Sequence, residues 1–436
     1  MNIKRRRIIG FTLIFIIICV VWFWISSILY DVALSVQQKK LPILESRSAN
    51  IPVELQAKNA KRPEGEIETI KQQQINIFKN RKADDIKAHA FFKNKQKDVY
   101  ITSFDNLKLH GIVVLYEEPD CKTESYGDKQ QSKNDGQKVQ LYAEEILEKY
   151  PEQAEGINEW REIDTSDNQE GAQEKHEELQ NSKDEIEDIT SEYIEATNSW
   201  DYIQNSLLGH KWVIMVHGYR DDADTIFAEG LKFYELGYNL LLVDLRGHGS
   251  SEGDFFTMGW YERIDIKGWI NKIVDLDPYA QIVLYGISMG AATVMMTLGE
   301  KLPSNVKAGI EDCGYSSVYS IFLCCLNSMF GISGIPARLL LNCVLLYVKI
   351  KDGYWITDAS SVKQLQKNKR PVLFIHGDSD TFVPTSMVDM VFAASNTNIL
   401  KKEKIIVKDS PHAMNDYVDS QLYWSSVYNF LQKHIK

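Results

Sequence analysis

The chain has 436 residues, of which 44% are hydrophobic and 25% are charged, a balance typical of globular proteins of two or three domains. The formal net charge is −11 and the isoelectric point is about 5.4. The chain therefore has no overall attraction for a polyanion, and nucleic acid is excluded as an expected partner. Its six cysteines are sparse and lack CxxC spacing, which predicts free thiols rather than a disulfide framework or a zinc site.

The N-terminal region contains a candidate membrane anchor. A basic cluster at residues 4–7 precedes residues 8–30, which carry no charge. About 23 residues of helix extend roughly 34 Å, enough to cross a hydrocarbon core of about 30 Å. Residues 1–30 are therefore predicted to form a cytoplasmic tail and a single transmembrane helix, with the remaining chain extracytoplasmic at the cell membrane. The alternative is a cleaved signal peptide, whose apolar region would normally be about 7–15 residues long.

Two polar segments flank the first predicted strands, which lie within residues 99–116. Residues 31–98 are interpreted as a stalk or spacer that is partly helical, because apolar residues recur at near-helical spacing in their second half. A plain solvated helix fits that spacing equally well. Residues 117–209 form an acidic insertion in which acidic residues outnumber basic ones by about three to one. Its length and composition favour disorder or a loosely helical segment.

Short apolar runs alternate with helical stretches from residue 211 onward. The runs comprise residues 212–216, 239–243, 282–285, 306–310, 372–375 and 404–407. Continuous runs of this length predict strands buried on both faces, and hence an α/β fold with a doubly wound, mostly parallel sheet over residues 99–436. Ligands of such sheets gather at the carboxyl ends of the strands.

One segment interrupts the alternation of strands and helices. Residues 314–368 are rich in aromatic and aliphatic side chains, and we interpret them as a helical cap over the carboxyl edge of the sheet. The alternative is a second membrane span, but basic residues bracket only a short apolar run there.

The sequence GISMG at residues 286–290 directly follows one predicted strand and precedes a stretch of small, helix-forming residues. A serine nucleophile must project from a sharp turn, and flanking glycines let the backbone pass close to it. The amides at the start of the next helix favour a developing oxyanion. This strand–turn–helix context predicts Ser288 as the nucleophile.

A general base is expected after the last strand, where His412 is the candidate. His217, His248 and His376 also follow strands, but each is part of an HG pair and is interpreted as a structural hydrogen-bonding residue. His412 is therefore predicted to accept the serine proton.

The acid that orients the base should lie between the serine and the histidine in the chain. Asp380 follows the run at residues 372–375 and is the preferred candidate. Asp378 is the nearby alternative, although it could simply cap the turn. Glu311 and Asp312 follow another strand and also remain open, because an acid can reach a triad from more than one strand end.

Two backbone amides are expected to form the oxyanion hole. One is the amide of Met289, directly after the nucleophile, and the other is assigned to Tyr219 in the loop after the run at residues 212–216. The glycine-rich residues 244–253 lack the GK[ST] of a phosphate-binding loop and the spacing of a dinucleotide fingerprint. They are interpreted as a structural turn that borders the pocket.

Six motifs together resemble the alpha/beta-hydrolase superfamily, and in particular bacterial membrane-anchored or cell-surface hydrolases of the serine-aminopeptidase-like group. They are HGY at 217–219, DLRGHGSSEG at 244–253, GISMG at 286–290, EDCGYSS at 311–317, HGDSDTFVP at 376–384 and SPHA at 410–413. The resemblance covers about 250 residues. It implies a triad of Ser288, Asp380 and His412, oxyanion donors at Tyr219 and Met289, and neither a metal nor an organic cofactor.

The expected activity is that of a serine hydrolase acting on a small-molecule acyl or peptide substrate. An ester or thioester is the first expectation, because the apolar cap favours an acyl or aromatic group in the pocket. A peptide bond is second, since the same triad serves peptidases. A non-catalytic surface binding module built on a hydrolase fold is the rival from another functional class.

Overall fold

A computed structural model describes residues 22–31, 33–35, 76–77, 80–81, 83–117, 200–201, 203–204, 206–207 and 209–435. Within these residues, eight strands form one sheet in the order β1-β2-β4-β3-β5-β6-β7-β8. The strands are β1 Gln96–Thr102, β2 Lys108–Val114, β3 Lys211–Val216, β4 Asn239–Val243, β5 Gln281–Ile287, β6 Val306–Asp312, β7 Val372–Gly377 and β8 Lys402–Val407.

The sheet is mostly parallel. β1 and β2 pair antiparallel, as do β2 and β4, and all other neighbours pair parallel. Every residue of β4 is buried, which fits a strand covered on both faces. The predicted mostly parallel α/β sheet is therefore confirmed.

Helices cover both faces of the sheet. They are α1 Phe227–Glu235, α2 Glu262–Leu276, α3 Met289–Leu298, α4 Val318–Phe330, α5 Gly334–Asp352, α6 Ser361–Leu365, α7 Ser386–Ala394, α8 Asn415–Val418 and α9 Ser420–His434, with short 3₁₀ turns at Ala223–Ile226 and Ile399–Lys401. One core cluster contains Trp269 of α2 and Val294 of α3, and the other contains Phe233 of α1 and Phe430 of α9. Two separate apolar cores on opposite faces are the arrangement of a doubly wound fold.

Helices α4 and α5 occupy the segment between β6 and β7 for which a cap was expected. Ser317 caps α4 by accepting a hydrogen bond from the amide of Ser320, and Gly331 ends that helix with a left-handed φ of 67°. Gly353 ends α5 in the same way, with a φ of 78°. Glycine at these positions lets two helices turn sharply within a short segment.

A helix at residues 22–31, here called the N-terminal helix, packs against α5. The Tyr30 hydroxyl donates to Asp352 at 2.9 Å, and the Tyr347 hydroxyl donates to Ser27 at 3.2 Å. Only the last part of the predicted membrane span is described, because residues 8–21 lie outside the described residues. Among those that are described, no helix combines the length and apolar character needed to cross a bilayer.

A buried arginine joins the segment before β1 to the sheet. Arg81 forms an ion pair with Glu229 of α1 at 2.8 Å and donates to the Ala413 carbonyl at 2.7 Å. Ala88 and Phe92, on the helix at residues 83–92, are fully buried in the core cluster that contains α1 and α9. This part of the predicted stalk therefore packs on the sheet domain. Most of the stalk and residues 118–199 of the acidic insertion lie outside the described residues.

We expect Arg81→Met to lower the free energy of unfolding by about 3–5 kcal/mol, because it removes the guanidinium from the buried Glu229 carboxylate. Lys87→Met is the matched control. Its partner is Asp84 at 3.0 Å, and both side chains are at least half exposed, so the expected change is below about 1 kcal/mol. Urea unfolding of both variants measures the difference. Similar small changes in both would contradict a structural role for the buried pair.

Candidate active site

The turn between β5 and α3 holds Ser288 in a conformation that few side chains adopt. Ser288 has φ 56° and ψ −115°, and α3 begins at the next residue. A Cβ added to Gly286 would lie 2.4 Å from the backbone of Gly290, and one added to Gly290 would lie 2.0 Å from the Val216 carbonyl oxygen. Both positions therefore require glycine, and the strained turn places the serine directly before the start of a helix.

Three loops at the carboxyl ends of the parallel strands bring Ser288, His412 and Asp380 together. Ser288 follows β5, Asp380 follows β7 and His412 follows β8. The Ser288 Oγ lies 2.8 Å from His412 Nε2, and His412 Nδ1 lies 2.7 Å from Asp380 Oδ2. These distances join the three predicted residues in one continuous chain of hydrogen bonds.

Asp380 is held as an ionised acceptor. Its Oδ1 accepts hydrogen bonds from the amides of Phe382 and Val383, at 2.9 and 2.8 Å. Burial acts to raise the pKa of Asp380, but the charge of His412 and hydrogen bonds from His376 and His412 hold it well below its usual range. A carboxylate at this place accepts a hydrogen bond from the Nδ1–H group of His412, which leaves Nε2 free to accept the serine proton.

His376 is a second partner of Asp380 that sequence reasoning did not assign to the site. Its Nε2 lies 3.3 Å from Asp380 Oδ2 and 2.9 Å from the Val383 carbonyl oxygen. Burial acts to lower the pKa of His376, but the hydrogen bond to Asp380 and the surrounding carboxylates raise it to about 9. His376 and Asp380 are the first and last residues of HGDSD, four positions apart, and this short separation could have indicated the contact.

The alternative acids have other partners. Asp378 accepts hydrogen bonds from the Asp409 amide at 2.7 Å and the Ser379 hydroxyl at 3.1 Å. Glu311 accepts from the Gly314 amide at 3.0 Å, and burial raises its pKa to about 8. Asp312 accepts from Asn415. The bonds of Asp378 stabilise a turn, and those of Glu311 and Asp312 pair buried polar groups. Asp380, in contrast, contacts the imidazole of His412 directly.

The two residues predicted to supply the oxyanion hole line the same cavity as Ser288. Met289 is the first residue of α3, and Tyr219 lies in the loop after β3. A Cβ added to Gly218 would lie 3.8 Å from the Ser288 Cβ and 2.8 Å from Asp221 Oδ2, so this loop passes directly beside the serine. The Tyr219 hydroxyl donates to the Ala33 carbonyl oxygen at 3.1 Å, which ties the same loop to the residues that follow the N-terminal helix.

An apolar cavity of about 110 Å³ opens beside Ser288. Its walls include Leu29, Tyr30 and Leu34 from the N-terminal region, Phe322 and Leu326 from α4, and Leu341 and Val344 from α5. None of the described residues that line it is charged. A dry apolar cavity of about 150 Å³ holds benzene, so this somewhat smaller space suits a short acyl group.

One group of side chains beside the serine has ligand atoms close enough for a metal ion. Cys313, Asp380 and His412 bring theirs within 4.8 Å of one another. Burial, followed by the nearby carboxylates of Asp312 and Asp380, raises the pKa of the Cys313 thiol well above its usual range. The Asp380 carboxylate and the His412 imidazole of this group already bond to each other at 2.7 Å, which fits hydrogen bonding.

The glycine-rich residues 244–253 are held by bonds within the fold. Asp244 accepts hydrogen bonds from the Ala223 and Ser250 amides, at 2.7 and 2.8 Å, and contacts His110 Nδ1 at 2.7 Å. A Cβ added to Gly249, which has φ 50°, would collide with the Asp244 carboxylate. These contacts fit a structural turn beside the pocket.

A family model described as "Serine aminopeptidase, S33" matches residues 209–311. The matched segment runs from β3 to β6 and so includes four neighbouring parallel strands of the sheet. It also contains Tyr219, Ser288 and Met289. The chain is a member of the alpha/beta-hydrolase superfamily. The family model does not extend to Asp380 and His412.

Two curated relatives each align with less than half of the chain. The "Uncharacterized protein YqkD" of Bacillus subtilis is 28% identical over 204 residues, which cover 46% of this chain and 64% of that protein. The "Alpha/beta hydrolase domain-containing protein WAV2" of Arabidopsis thaliana is 26% identical over 206 residues, which cover 46% of this chain and 62% of that protein. The alignments thus span less than two thirds of these relatives.

Solved structures are similar at lower sequence identity. The esterase Pf2001 of Pyrococcus furiosus aligns with a TM-score of 0.48 at 18% identity, covering 80% of this chain and 94% of that chain. The acylaminoacyl peptidase of Pyrococcus horikoshii aligns with a TM-score of 0.39 at 19% identity, covering 53% of this chain and 38% of that chain. Similarity at this level carries no inference about the substrate.

Proposed function

We propose that the chain is a serine hydrolase that cleaves an ester or thioester, with Ser288 as nucleophile, His412 as general base and Asp380 as the carboxylate that orients it. The continuous hydrogen bonding from Ser288 Oγ through His412 to Asp380 carries the proposal. The uncharged lining of the adjacent cavity supports an acyl group as the part of the substrate that enters it.

In the proposed reaction, His412 Nε2 takes the Ser288 proton while the serine oxygen attacks the carbonyl carbon. The amides of Tyr219 and Met289 stabilise the resulting oxyanion, and His412 then returns the proton to the leaving alcohol or thiol. Water repeats the sequence on the acyl-enzyme, which releases the acid and restores Ser288. Asp380 remains ionised throughout and stabilises the imidazolium.

A fluorophosphonate probe tests the proposal, because it phosphonylates a serine only when an adjacent base activates the hydroxyl. We expect the full-length chain and Ser425→Ala, an exposed control on α9, to be labelled, and Ser288→Ala to remain unlabelled. Absent labelling of the correctly folded chain would instead support the non-catalytic binding module.

A peptidase is the second candidate, favoured by the description of the matching family model. An aminopeptidase must bind the α-ammonium group of its substrate, which a carboxylate does best. No described residue in the cavity lining is acidic, which favours the ester or thioester. Faster turnover of an aminoacyl amide than of a matched ester would reverse this order.

We also propose that the chain is anchored at the cell membrane through residues 8–21, the part of the predicted span that precedes the N-terminal helix, with the hydrolase domain on the extracytoplasmic side. The uncharged run and the basic cluster at residues 4–7 support this orientation. Protease treatment of intact cells should degrade the hydrolase domain. Complete protection of that domain, with degradation only after lysis, would contradict the orientation.

A further inference from the structure

Helix α5 exposes an apolar stripe on the face that points away from the cavity. Ile335, Leu339, Leu346 and Ile350 are between 45% and 73% exposed. Their spacing of four, seven and four residues places them on one side of the helix. Four large apolar side chains aligned along a solvent-facing helix are unusual for a surface that contacts only water.

Basic residues border this stripe. Arg338 and Lys349 each stand directly beside a stripe residue in the sequence, and at about 100° per residue they fall on the same flank of the helix. Lys349 extends to the Gly353 carbonyl oxygen at the end of α5. An apolar face bordered by Lys and Arg is typical of helices that lie in the interface of an anionic bilayer.

The N-terminal helix packs beside α5 and also exposes apolar side chains. It contacts α5 through Tyr347, whose ring lies 5.1 Å from Phe23 and 5.5 Å from Tyr30. Its other side exposes Trp24 and Ile28. Tryptophan at such a place suits the headgroup level of a membrane. We define the docking face as the four stripe residues of α5.

The same two helices form walls of the cavity beside Ser288. Leu341 and Val344 of α5 line it, as do Leu29 and Tyr30 of the N-terminal helix, whereas the stripe residues do not. Each helix therefore presents one face to the cavity and another to solvent. A surface bound to the docking face would lie one helix diameter, about 10 Å, from the space that receives the acyl group.

We propose that the docking face binds the surface of an anionic lipid bilayer, and that esters dissolved in that bilayer reach Ser288 between α5 and the N-terminal helix. The substrate part of this inference rests on the proposed hydrolase function. The uncharged residues 8–21 run directly into the N-terminal helix, so a membrane that holds this run also meets the adjoining docking face. A second copy is a poorer occupant, because it would bring like charges together around the two stripes.

Photo-cross-linking identifies the occupant without relying on activity. Benzoylphenylalanine replaces Leu346 in the full-length chain, which is reconstituted in vesicles of phosphatidylcholine and phosphatidylglycerol. The matched control carries the same group at Leu400. This exposed leucine lies just before the start of β8, and therefore at the amino ends of the parallel strands rather than at the carboxyl ends. We expect at least tenfold more cross-linking to radiolabelled lipid from position 346. Equal lipid labelling at both positions, or cross-linking of position 346 to a second chain, would overturn the proposal.

A kinetic experiment tests the route of the substrate. Leu339→Glu combined with Leu346→Glu should lower hydrolysis of a bilayer-dissolved butyryl ester of a long-chain alcohol by at least tenfold. Turnover of a water-soluble butyryl ester should stay within about twofold, because neither residue lines the cavity. Leu400→Glu should change neither rate. Equal losses on both substrates, or no loss on the bilayer ester, would overturn the proposed route.

The two proposals fail in different ways. If the unmodified chain hydrolyses neither ester, the proposed function fails, while lipid cross-linking still reports on the docking face. If the soluble ester is hydrolysed but position 346 does not label lipid, the docking face is wrong and the hydrolase function stands.

Discussion

Ser288→Ala is expected to lower kcat on a short-chain ester by roughly 10⁴–10⁶. The change removes the attacking oxygen, whereas the cavity and the amides assigned to the oxyanion hole remain. The one hydrogen bond that is lost, to His412 at 2.8 Å, contributes about 1 kcal/mol to stability. Steady-state kinetics and thermal unfolding of the same preparation measure both effects.

Ser425→Ala is the matched control for this substitution. The Ser425 hydroxyl donates only within its own helix, to the Leu422 carbonyl oxygen, and we expect kcat to change by less than about twofold. Turnover near the level of the unmodified chain in Ser288→Ala would remove Ser288 from the mechanism. A loss of stability in that variant far larger than this expected ~1 kcal/mol would instead assign the loss of activity to misfolding.

Asp380→Asn is expected to lower kcat by roughly 10⁴ while the fold persists. An amide nitrogen in place of Oδ2 is a donor, so it turns the facing Nδ1 of His412 into an acceptor. The imidazole proton then resides on Nε2, which can no longer accept the proton of Ser288. The amide oxygen can keep the bonds from Phe382 and Val383 at the Oδ1 position. The pH profile of kcat and the unfolding midpoint separate this effect from loss of structure.

Asp378→Asn tests which of the two acids in this loop orients His412. Asp378 accepts bonds from Asp409 and Ser379, and its replacement should reduce kcat by less than about tenfold, because it does not contact His412. A larger loss from Asp378→Asn than from Asp380→Asn would exchange their assigned roles.

The sheet and the residues around Ser288 could be predicted because each depends on local sequence. A buried parallel strand needs a continuous apolar run, and the runs at residues 239–243 and 372–375 coincide with β4 and most of β7. The serine turn needs two glycines, since any Cβ at position 286 or 290 meets backbone atoms. His412 and Asp380 could be proposed from their positions after strands, because parallel strands end at one edge.

Contacts between distant parts of the chain could not be predicted in this way. Arg81 and Ala413 are 332 residues apart and share a hydrogen bond, and Tyr30 and Asp352 are 322 residues apart. No periodicity encodes such pairs. The N-terminal helix was interpreted only as the end of a membrane span, because an uncharged apolar run looks alike whether it contacts lipid or protein. Its contribution to the cavity depends on α5, which the sequence placed in a separate cap.

The wall formed by Leu29 and Tyr30, with Tyr219 bonded to Ala33, affects how the protein should be prepared. Deleting the first 35 residues is a common way to avoid detergent when a protein begins with a hydrophobic run. Here that truncation would open one side of the acyl cavity and release the loop beside the serine. Chain-length preferences measured on the shortened protein would then describe a wider pocket than the one the full chain forms.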